Sequence, residues 1–405
     1  MNNAAHAGRR GNDVRSDCWV EIKLNDSGGR IINLNSKVES MYGQSIRDLV
    51  TDMLNFYGIE HADITIEDNG ALPFVLRARI ETAIRRADAS ISKAYLPTFD
   101  PSTIPSTSRD RFRRSRLYLP GNEPKFMINA ALHHPDGIIL DLEDSVSPSE
   151  KDAAAVLVRN ALCAINFGEC ERMVRINQLP AGLDDLLFVI PYGVHVILIP
   201  KCELTGQVHD VDRAIYEIKR QHNISHDIFL MPIVESAAGV MRAFEIACAS
   251  PHVVALTIGL EDYTADIGTQ RTVQGQESLW ARSMVINAAR AAGVQPIDSV
   301  FSDVGDMDGL RQSVLEAKAL GFDGKGCIHP RQIAVIHDAF APATDEIEKA
   351  TRIVRAFENA EANGLGVVSL GSKMIDPPVV KRALRTVKLA IATGKLSPDW
   401  REGGV

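Results

Sequence analysis

The sequence lacks the features of membrane and nucleic-acid-binding proteins. Its longest apolar runs, such as Val194 to Pro200, have the length of a strand and are too short to span a bilayer. No apolar stretch follows Arg9 and Arg10, so we expect no signal peptide and a cytoplasmic protein. Acidic residues (52) outnumber Lys and Arg (44), and the net charge of -8 argues against a surface that neutralises phosphates.

Paired cysteines are also missing. The chain has six cysteines without any Cys-x-x-Cys spacing, namely Cys18, Cys163, Cys170, Cys202, Cys248 and Cys327. Scattered single cysteines argue against a disulfide framework or a structural zinc site. We therefore expect reduced and buried thiols.

What the chain does have is enough apolar sequence for a large core and a second domain. At 405 residues and 45% hydrophobic composition, it has room for a barrel and something smaller. The stretch KAYLPTFDPSTIPSTSRD is rich in Pro, Ser and Thr, as linkers are. We predict a small α+β domain at 1–92, a linker at 93–110, a barrel at 111–340 and a C-terminal helical segment at 341–405.

The residues before the linker predict a compact α+β module. CWVEIKL (Cys18 to Leu24) alternates like a strand and precedes the turn-forming Asn-Asp-Ser-Gly-Gly stretch. Apolar residues between Ser36 and Tyr57 have helical spacing. ADITIED and LPFVLRARI flank Asn69-Gly70, a hairpin turn signal, and the second stretch runs into a helix that ends near Ala87.

The residues after the linker alternate between strand-like and helix-like patterns. We count eight apolar runs: SRLYL, GIILDL, RMVRI, VHVILI, IFLMPIV, VVALTI, PIDSV and GKGCI. Eight β–α repeats predict a closed (β/α)8 TIM barrel. An open doubly wound sheet is the competing architecture, but no G-x-G-x-x-G turn follows the first strand.

Most of these strands end in ionisable or polar residues. In chain order they are Asp141, Glu143, Asp144, Arg175, Asn177, Lys201, Glu235, Glu261, Asp262, Asp298 and His329. In a barrel all strand ends meet at one rim, where active sites form. Core packing does not explain such a pattern, so it predicts an enzyme site.

Glu235 and Asp262 follow adjacent strands, so their carboxylates can converge on one hard cation. Mg2+ favours few protein carboxylates, several waters and substrate oxygens, and it would act as a Lewis acid and template for a 2-oxo or 2-hydroxy acid. The alternative is that both acids form ion pairs with Arg175 or Lys201.

Basic residues near the rim are candidates for binding an anionic substrate. Arg175 presents a planar donor fork that suits a carboxylate or an enolate oxygen. The run Arg109 to Arg116 is more typical of a solvated face, although Arg114 or Arg116 could reach the rim. For His329, a catalytic base and a hydrogen-bonded structural role stay equally open.

The motifs together resemble the citrate lyase β subunit of the HpcH/HpaI aldolase superfamily. The resemblance spans Arg113 to about Ala390 and is carried by RRSRLYLPGNEPK, GIILDLEDSVSPSEK, RIN, MPIVESAAGV, GLEDYTADIGTQRT, the ARSM stretch, GFDGKGCIHPRQI and GSKMIDPPVVKRA. It implies a Mg2+-dependent lyase that cleaves a citryl thioester to oxaloacetate and an acetyl thioester.

The resemblance also assigns roles at matching positions. It implies that Glu235 and Asp262 are the Mg2+ ligands, and that Arg175 binds the substrate carboxylate and carbonyl. Substrate binding would be assisted by Arg114 and by Glu143 or Asp144. Asp376 of KMID resembles the aspartate that related lyases use as acid/base, delivered from a neighbouring subunit; a helix-capping role before Pro377-Pro378 stays open.

The N-terminal module resembles the citrate lyase acyl carrier protein, or γ subunit, in DCWVEI, the helix near Gln44 to Tyr57 and NGALPFVLRARIETA. That family attaches a phosphoribosyl-dephospho-CoA arm to a serine two residues before an aspartate. Here Arg15 occupies that position and Ser16 is displaced by one. Either Ser16 carries the arm, or the module is unmodified and is a structural or docking domain. The substrate is accordingly a carrier-bound citryl thioester or free citryl-CoA.

Other functions compatible with the same residues are a malyl-CoA or citramalyl-CoA lyase, a class II pyruvate-type aldolase, and a non-catalytic assembly subunit. Retention of Glu235, Asp262, Arg175 and Asp376 together argues against the last. The resemblance further implies a homo-oligomer, with a trimer favoured, and a citrate lyase α subunit as a partner.

Overall fold

A computed structural model describes residues 4–362, 368–370 and 373–401. The chain forms two compact units, residues 1–333 and 334–405. Among the described helices, none has both the length and the apolar character needed to cross a membrane. The six cysteines are free; four are buried, while Cys163 is half-buried and Cys248 is exposed.

The N-terminal module is a four-stranded sheet with two helices. Its elements are β1 (Ala4–Gly8), β2 (Cys18–Leu24), β3 (Arg30–Ser36), α1 (Glu39–Tyr57), β4 (Ala62–Asp68) and α2 (Pro73–Ala87). The strand order is β1-β2-β4-β3, and only β3 and β4 run parallel. Strand β4 buries every second residue, as a sheet with one face on a core requires. The predicted strand at Cys18 to Leu24 and the predicted helix ending at Tyr57 are confirmed.

The hairpin predicted around Asn69-Gly70 is wrong. Strand β4 precedes this turn as expected, but Pro73 begins α2 in the stretch predicted as the second strand. Proline fixes a helical φ and has no N–H to satisfy, so it suits the first turn of a helix. Eleven of the fifteen α2 residues are buried, so the apolar residues show little helical periodicity and the sequence pattern resembles that of a strand.

The following residues form the predicted closed barrel of eight parallel strands. These are β5 (Ser115–Pro120), β6 (Gly137–Asp141), β7 (Glu171–Arg175), β8 (Val196–Ile199), β9 (Phe229–Val234), β10 (Ala255–Ile258), β11 (Gln295–Asp298) and β12 (Gly324–Cys327). All eight coincide with the apolar runs of the sequence. Side chains such as Ile139, Met173, Leu198 and Met231 fill the interior, so the barrel is packed rather than open.

Helices surround the barrel. They are α3 (Pro124–Met127), α4 (Lys151–Ala164), α5 (Gly182–Val189), α6 (Thr205–His222), α7 (Ala237–Met241), α8 (Ala243–Cys248), α9 (Leu260–Asp266), α10 (Gln276–Ala291) and α11 (Met307–Leu320). The next helix, α12 (Arg331–Phe340), begins in the first unit and continues into the second. Short 3-10 turns occur at Pro101–Thr103, Ala130–His133, Pro148–Glu150 and Ile190–Tyr192.

A buried ion pair and a buried hydrogen bond join the N-terminal module to the barrel. Arg159 of α4 donates two hydrogen bonds to Glu81 of α2 at 2.9 and 2.7 Å, and both side chains are almost fully buried. Arg79 of α2 forms a bidentate pair with Asp17 and also donates to the main-chain oxygen of Asn122, which follows β5. Breaking either pair would leave a buried charge, which costs about 3–5 kcal/mol. The module is therefore packed as part of the first unit.

The second unit is mainly helical, as predicted. It contains α13 (Thr344–Ala362), β13 (Val368–Leu370), β14 (Lys373–Ile375) and α14 (Pro377–Ala392). Strands β13 and β14 form an antiparallel pair. Helices α13 and α14 share an apolar cluster that includes Ile353, Val380, Val387 and Trp400.

Candidate functional site

A cavity of about 360 Å3 opens at the carboxyl end of the barrel strands. Its walls carry most of the polar residues that the sequence places at strand ends, and its lining includes Arg116, Tyr118, Asp141, Asp144, Ser145, Arg175, Glu235, Glu261, Asp262 and Asp298. The carboxyl rim is where TIM-barrel enzymes bind substrate.

Arg175 is held by acidic residues on the neighbouring strand. Register pairs it with Asp141, and its Nε and Nη2 donate to the two Asp141 oxygens at 2.6 and 2.7 Å. Its Nη1 lies 2.9 Å from Glu143, and its guanidinium lies 5.4 Å from the Tyr118 ring centre. These partners, chiefly Asp141, hold the pKa of Arg175 above its ordinary value despite burial. The guanidinium is thus a fixed cation in the cavity wall.

Lys201 completes this network. Its Nζ lies 2.7 Å from Glu143 and 3.3 Å from Asp144, while its main-chain N–H donates to Glu235 Oε1 at 2.6 Å. Its φ of 46° is in the left-handed region, which is unfavourable for a side chain with a Cβ. Such strain persists where surrounding contacts compensate for it, often at functional sites. The turn directs an amide donor at Glu235.

Glu235 and Asp262 lie together at the ends of β9 and β10. Glu235 is 5% exposed, and Asp262 is in the first turn of α9. Burial, together with the nearby Asp262 charge, raises the pKa of Glu235 to about 7. Glycine at position 259 leaves room for the Glu235 carboxylate, because a Cβ there would lie 2.4 Å from Glu235 Oε2.

The donor set at these two residues fits Mg2+. Arg175 and Lys201 form their ion pairs with Asp141, Glu143 and Asp144, and within the described ranges no ion pair joins either to Glu235 or Asp262. The described residues also contain no cluster of three or more His, Cys, Asp and Glu side chains suited to a metal. Two carboxylates with room for waters and substrate oxygens suit Mg2+ better than a closed zinc site.

The floor of the cavity carries an excess of positive charge. Arg116 is completely buried, and its guanidinium donates to Thr257 Oγ1 and Met231 Sδ at 3.1 Å and to the Asp298 main-chain oxygen. Its Nε has no hydrogen-bond partner among the described atoms. The Asp298 carboxylate is already neutralised by Lys325 at 2.7 Å and by Arg282. Arg116 is therefore a buried cation that forms no ion pair with the described side chains.

Two other residues named from the sequence, Arg114 and His329, lie elsewhere. Arg114 precedes β5, so it lies at the amino end of the barrel, where it forms a bidentate pair with Asp136. Arg116, two residues later and inside the barrel, lines the cavity in its place. His329 is not part of the cavity lining, and its Nδ1 accepts from the Arg331 main chain.

Asp376 and Ser16 lie outside the barrel. Asp376 belongs to the second unit and caps α14 by accepting from the Val379 N–H at 3.1 Å. Ser16 is half-buried with φ 56°, beside the buried Asp17. The catalytic role of the first and the modification of the second stay predictions.

Comparisons with known proteins agree with the geometry. Residues 114–330 match the HpcH/HpaI aldolase/citrate lyase family, and residues 4–87 match an acyl carrier family described as malonate decarboxylase delta subunit. The citrate lyase subunit beta of Leuconostoc mesenteroides is 39% identical over 70% of this chain and 95% of its own length. An L-malyl-CoA/beta-methylmalyl-CoA lyase of Cereibacter sphaeroides is 32% identical over 69% of this chain and 95% of its own. A crystal structure of the Mycobacterium tuberculosis protein CitE with magnesium, acetoacetate and coenzyme A superimposes with a TM-score of 0.57 at 28% identity, over 70% of this chain and 99% of that one.

Proposed function

Since this chain belongs to the HpcH/HpaI aldolase/citrate lyase family, we propose that it is a Mg2+-dependent carbon–carbon lyase that cleaves a citryl thioester to oxaloacetate and an acetyl thioester. The observation that carries this proposal is the carboxylate pair Glu235 and Asp262, which forms no ion pair with the described Arg and Lys side chains and lies above the buried cation Arg116. A substrate with a carboxylate at one end and metal-binding oxygens beside it complements both features.

In this reaction a base removes the proton of the tertiary hydroxyl. The bond between the carbinol carbon and the CH2 beside the thioester then breaks, and its electrons form the thioester enolate, which takes up a proton at carbon. Oxaloacetate leaves with the former hydroxyl oxygen as its keto oxygen.

Each residue has a proposed task. Glu235 and Asp262 would hold Mg2+, which supplies Lewis-acid polarisation of the substrate oxygens when bound. Arg175, immobilised by Asp141, places a guanidinium at the cavity wall, and Arg116 neutralises a substrate carboxylate at its floor. Asp376 is the proposed acid/base, since related lyases in this resemblance use an aspartate at that motif.

The same cavity would accept malyl and citramalyl thioesters, which share the carboxylate and the hydroxyl beside it. The similarity to malyl-CoA lyases at 32% identity supports this second candidate. The acyl-carrier-like module at residues 4–87 favours citrate.

We also propose a homo-oligomer and a cytoplasmic location. Met241 on α7 and Phe244 on α8 are 65% and 49% exposed, and Trp280, on the helix α10 against which both pack, is 56% exposed. Apolar side chains grouped in this way are typical of protein interfaces. A citrate lyase α subunit is a further proposed partner. Light scattering of the chain alone tests the homo-oligomer, and light scattering with added α subunit tests the complex.

The function is tested with citryl-CoA, malyl-CoA and citramalyl-CoA as separate substrates of the purified chain. The proposal predicts Mg2+-dependent release of oxaloacetate from citryl-CoA, measured with malate dehydrogenase. Formation of acetyl-CoA, the product common to all three substrates, should show the highest kcat/KM for citryl-CoA. Preferential cleavage of malyl-CoA or citramalyl-CoA would establish the second candidate. Failure on all three thioesters, with Mg2+ bound, would contradict the lyase assignment.

A further inference from the structure

Tyr118 of β5 places a phenol in the wall of the catalytic cavity. It lies two residues after Arg116, so both side chains are on the same face of the strand, which is the barrel interior. Because a strand rises about 3.3 Å per residue, Tyr118 is about 6–7 Å further along β5, toward the carboxyl rim. The phenol therefore lies between the buried Arg116 guanidinium and the space open to a substrate.

The ring of Tyr118 is fixed, whereas its hydroxyl is available. A Cβ at Gly326 would lie 3.3 Å from Tyr118 Cε2, so the ring packs closely on the β12 backbone. Four hydroxyl side chains line the cavity, and three of them, on Ser145, Thr257 and Ser299, have hydrogen-bond partners in the protein. The Tyr118 hydroxyl has none among the described residues.

The Tyr118 hydroxyl is suited to an anionic acceptor. Burial raises the pKa of this phenol above its ordinary value, so the hydroxyl keeps its proton. The charges of Arg116 and Arg175 oppose that shift of the pKa more strongly than the carboxylates of Asp141 and Glu235 reinforce it. The hydroxyl is therefore a donor in a positive local field, and hydrogen bonds from such donors to carboxylates are strong.

The acidic residues of the cavity leave room for this additional negative charge. Four of the lining carboxylates have basic partners: Asp141 pairs with Arg175, Asp144 with Lys201, Glu261 with Arg271, and Asp298 with Lys325. The other two are Glu235 and Asp262, the proposed Mg2+ ligands. Arg116 forms no ion pair with the described side chains, so its charge remains for a bound anion.

The candidate substrates differ at one substituent of the carbinol carbon. Citryl, malyl and citramalyl thioesters all carry a hydroxyl and a carboxylate there, and these groups suit the metal pair and Arg175. The remaining substituent is CH2COO− in the citryl group, hydrogen in the malyl group and methyl in the citramalyl group. Only the citryl group therefore has a second carboxylate on the half that becomes the 2-oxo acid.

We propose that Tyr118 determines the substrate specificity of this site, because its hydroxyl donates a hydrogen bond to that second carboxylate while the Arg116 charge behind it stabilises the anion. The substrate class is thus a thioester whose 2-oxo-acid half is a dicarboxylate. A malyl or citramalyl group leaves the Tyr118 donor unpaired, and a buried donor left unpaired discriminates against the substrate that lacks its acceptor. This inference rests on the proposed lyase function.

The test is calorimetric titration of the full chain with oxaloacetate and with pyruvate at saturating Mg2+. Pyruvate has the 2-oxo acid group but lacks the second carboxylate. Tyr118→Phe keeps the ring and removes only the hydroxyl, so its Tm should not change. Tyr192→Phe is the matched control, since Tyr192 packs on Phe99 outside the cavity lining.

We expect the wild type to bind oxaloacetate at least tenfold more tightly than pyruvate. Tyr118→Phe should weaken oxaloacetate binding by about tenfold and leave pyruvate binding unchanged, while Tyr192→Phe should change neither. In the lyase assay, Tyr118→Phe should lower kcat/KM for citryl-CoA by a similar factor and leave kcat/KM for citramalyl-CoA unchanged.

Equal affinity of the wild type for the two acids would overturn the inference. A Tyr118→Phe protein that keeps the wild-type preference, or that loses affinity for both acids equally, would also overturn it. These three results would leave the lyase function intact, because they concern only which 2-oxo acid is preferred. Absence of Mg2+-dependent binding of either acid to the wild type would contradict the proposed function together with the inference.

Discussion

We predict that Arg116 lowers the free energy of unfolding of the protein while it contributes to substrate binding. Its guanidinium is fully buried, and burial lowers its pKa. Within the described part of the chain, its hydrogen bonds run to a hydroxyl, a thioether and a main-chain carbonyl, none of which carries a charge. A buried cation in this position costs stability that a bound anionic substrate would return.

The magnitude for Arg116→Met follows from these contacts. Removing the cation relieves a burial penalty of about 4 kcal/mol and gives up about 2 kcal/mol of hydrogen bonding, chiefly to Thr257. The variant should thus be more stable by about 2 kcal/mol. For a cooperative unit of residues 1–333 this corresponds to a rise of about 3 °C in Tm.

Activity should change in the opposite direction. Loss of an ion pair between Arg116 and a substrate carboxylate costs about 3–4 kcal/mol in a buried site, which lowers kcat/KM by about 10^2 to 10^3. Scanning calorimetry of the metal-free variant and a steady-state oxaloacetate assay measure the two effects.

Arg113 provides the matched control. It is equally buried and only three residues away, but Glu171 accepts from its Nε and Nη2 at 2.7 and 2.8 Å. Arg113→Met should therefore lose about 3–5 kcal/mol of stability without a direct effect on kcat/KM of the folded enzyme. An Arg116→Met protein that is destabilised like Arg113→Met and fully active would refute the reasoning.

Three further predictions concern the metal site and the second unit. Because the pKa of Glu235 is raised to about 7, protons compete with Mg2+ below that pH, so Mg2+ affinity measured by calorimetry should rise from pH 6 to pH 8; a flat profile would exclude Glu235 as a ligand. Gly259→Ala places a Cβ 2.4 Å from Glu235 Oε2 and should reduce Mg2+ affinity at least tenfold, while the circular dichroism spectrum stays unchanged. Full Mg2+ affinity in this variant would show that the space beside the Glu235 carboxylate does not matter for metal binding. Asn and Asp are equally good helix caps, so Asp376→Asn should keep the Tm. The variant should lose lyase activity if Asp376 is the acid/base, whereas an unchanged kcat would mean that Asp376 only caps α14.

The barrel and the acidic part of its site were predictable because strand ends are local features of the sequence. Asp141, Arg175, Glu235 and Asp262 each follow an apolar run, and parallel topology alone brings them to one rim. The divalent-cation site follows from chemistry once the rim is known.

Other features depend on information that is not local. Whether Arg114 or Arg116 lines the cavity depends on where β5 begins relative to the ends of the barrel and on which face of the strand each side chain occupies. The pairing of Asp17 with Arg79, and of Glu81 with Arg159, joins positions far apart in the chain, and their burial hides them from a hydrophobicity pattern.

Glu235 and Asp262 are proposed to hold the Mg2+ that this chain needs to cleave a citryl thioester. The most direct measurement is oxaloacetate release from citryl-CoA at saturating Mg2+, compared between wild type and Glu235→Gln, with circular dichroism to verify the fold. We predict release by the wild type that EDTA abolishes, and at least a hundredfold lower rate for the folded variant. Release by Glu235→Gln at the wild-type rate, or release by the wild type that persists in EDTA, would contradict the account.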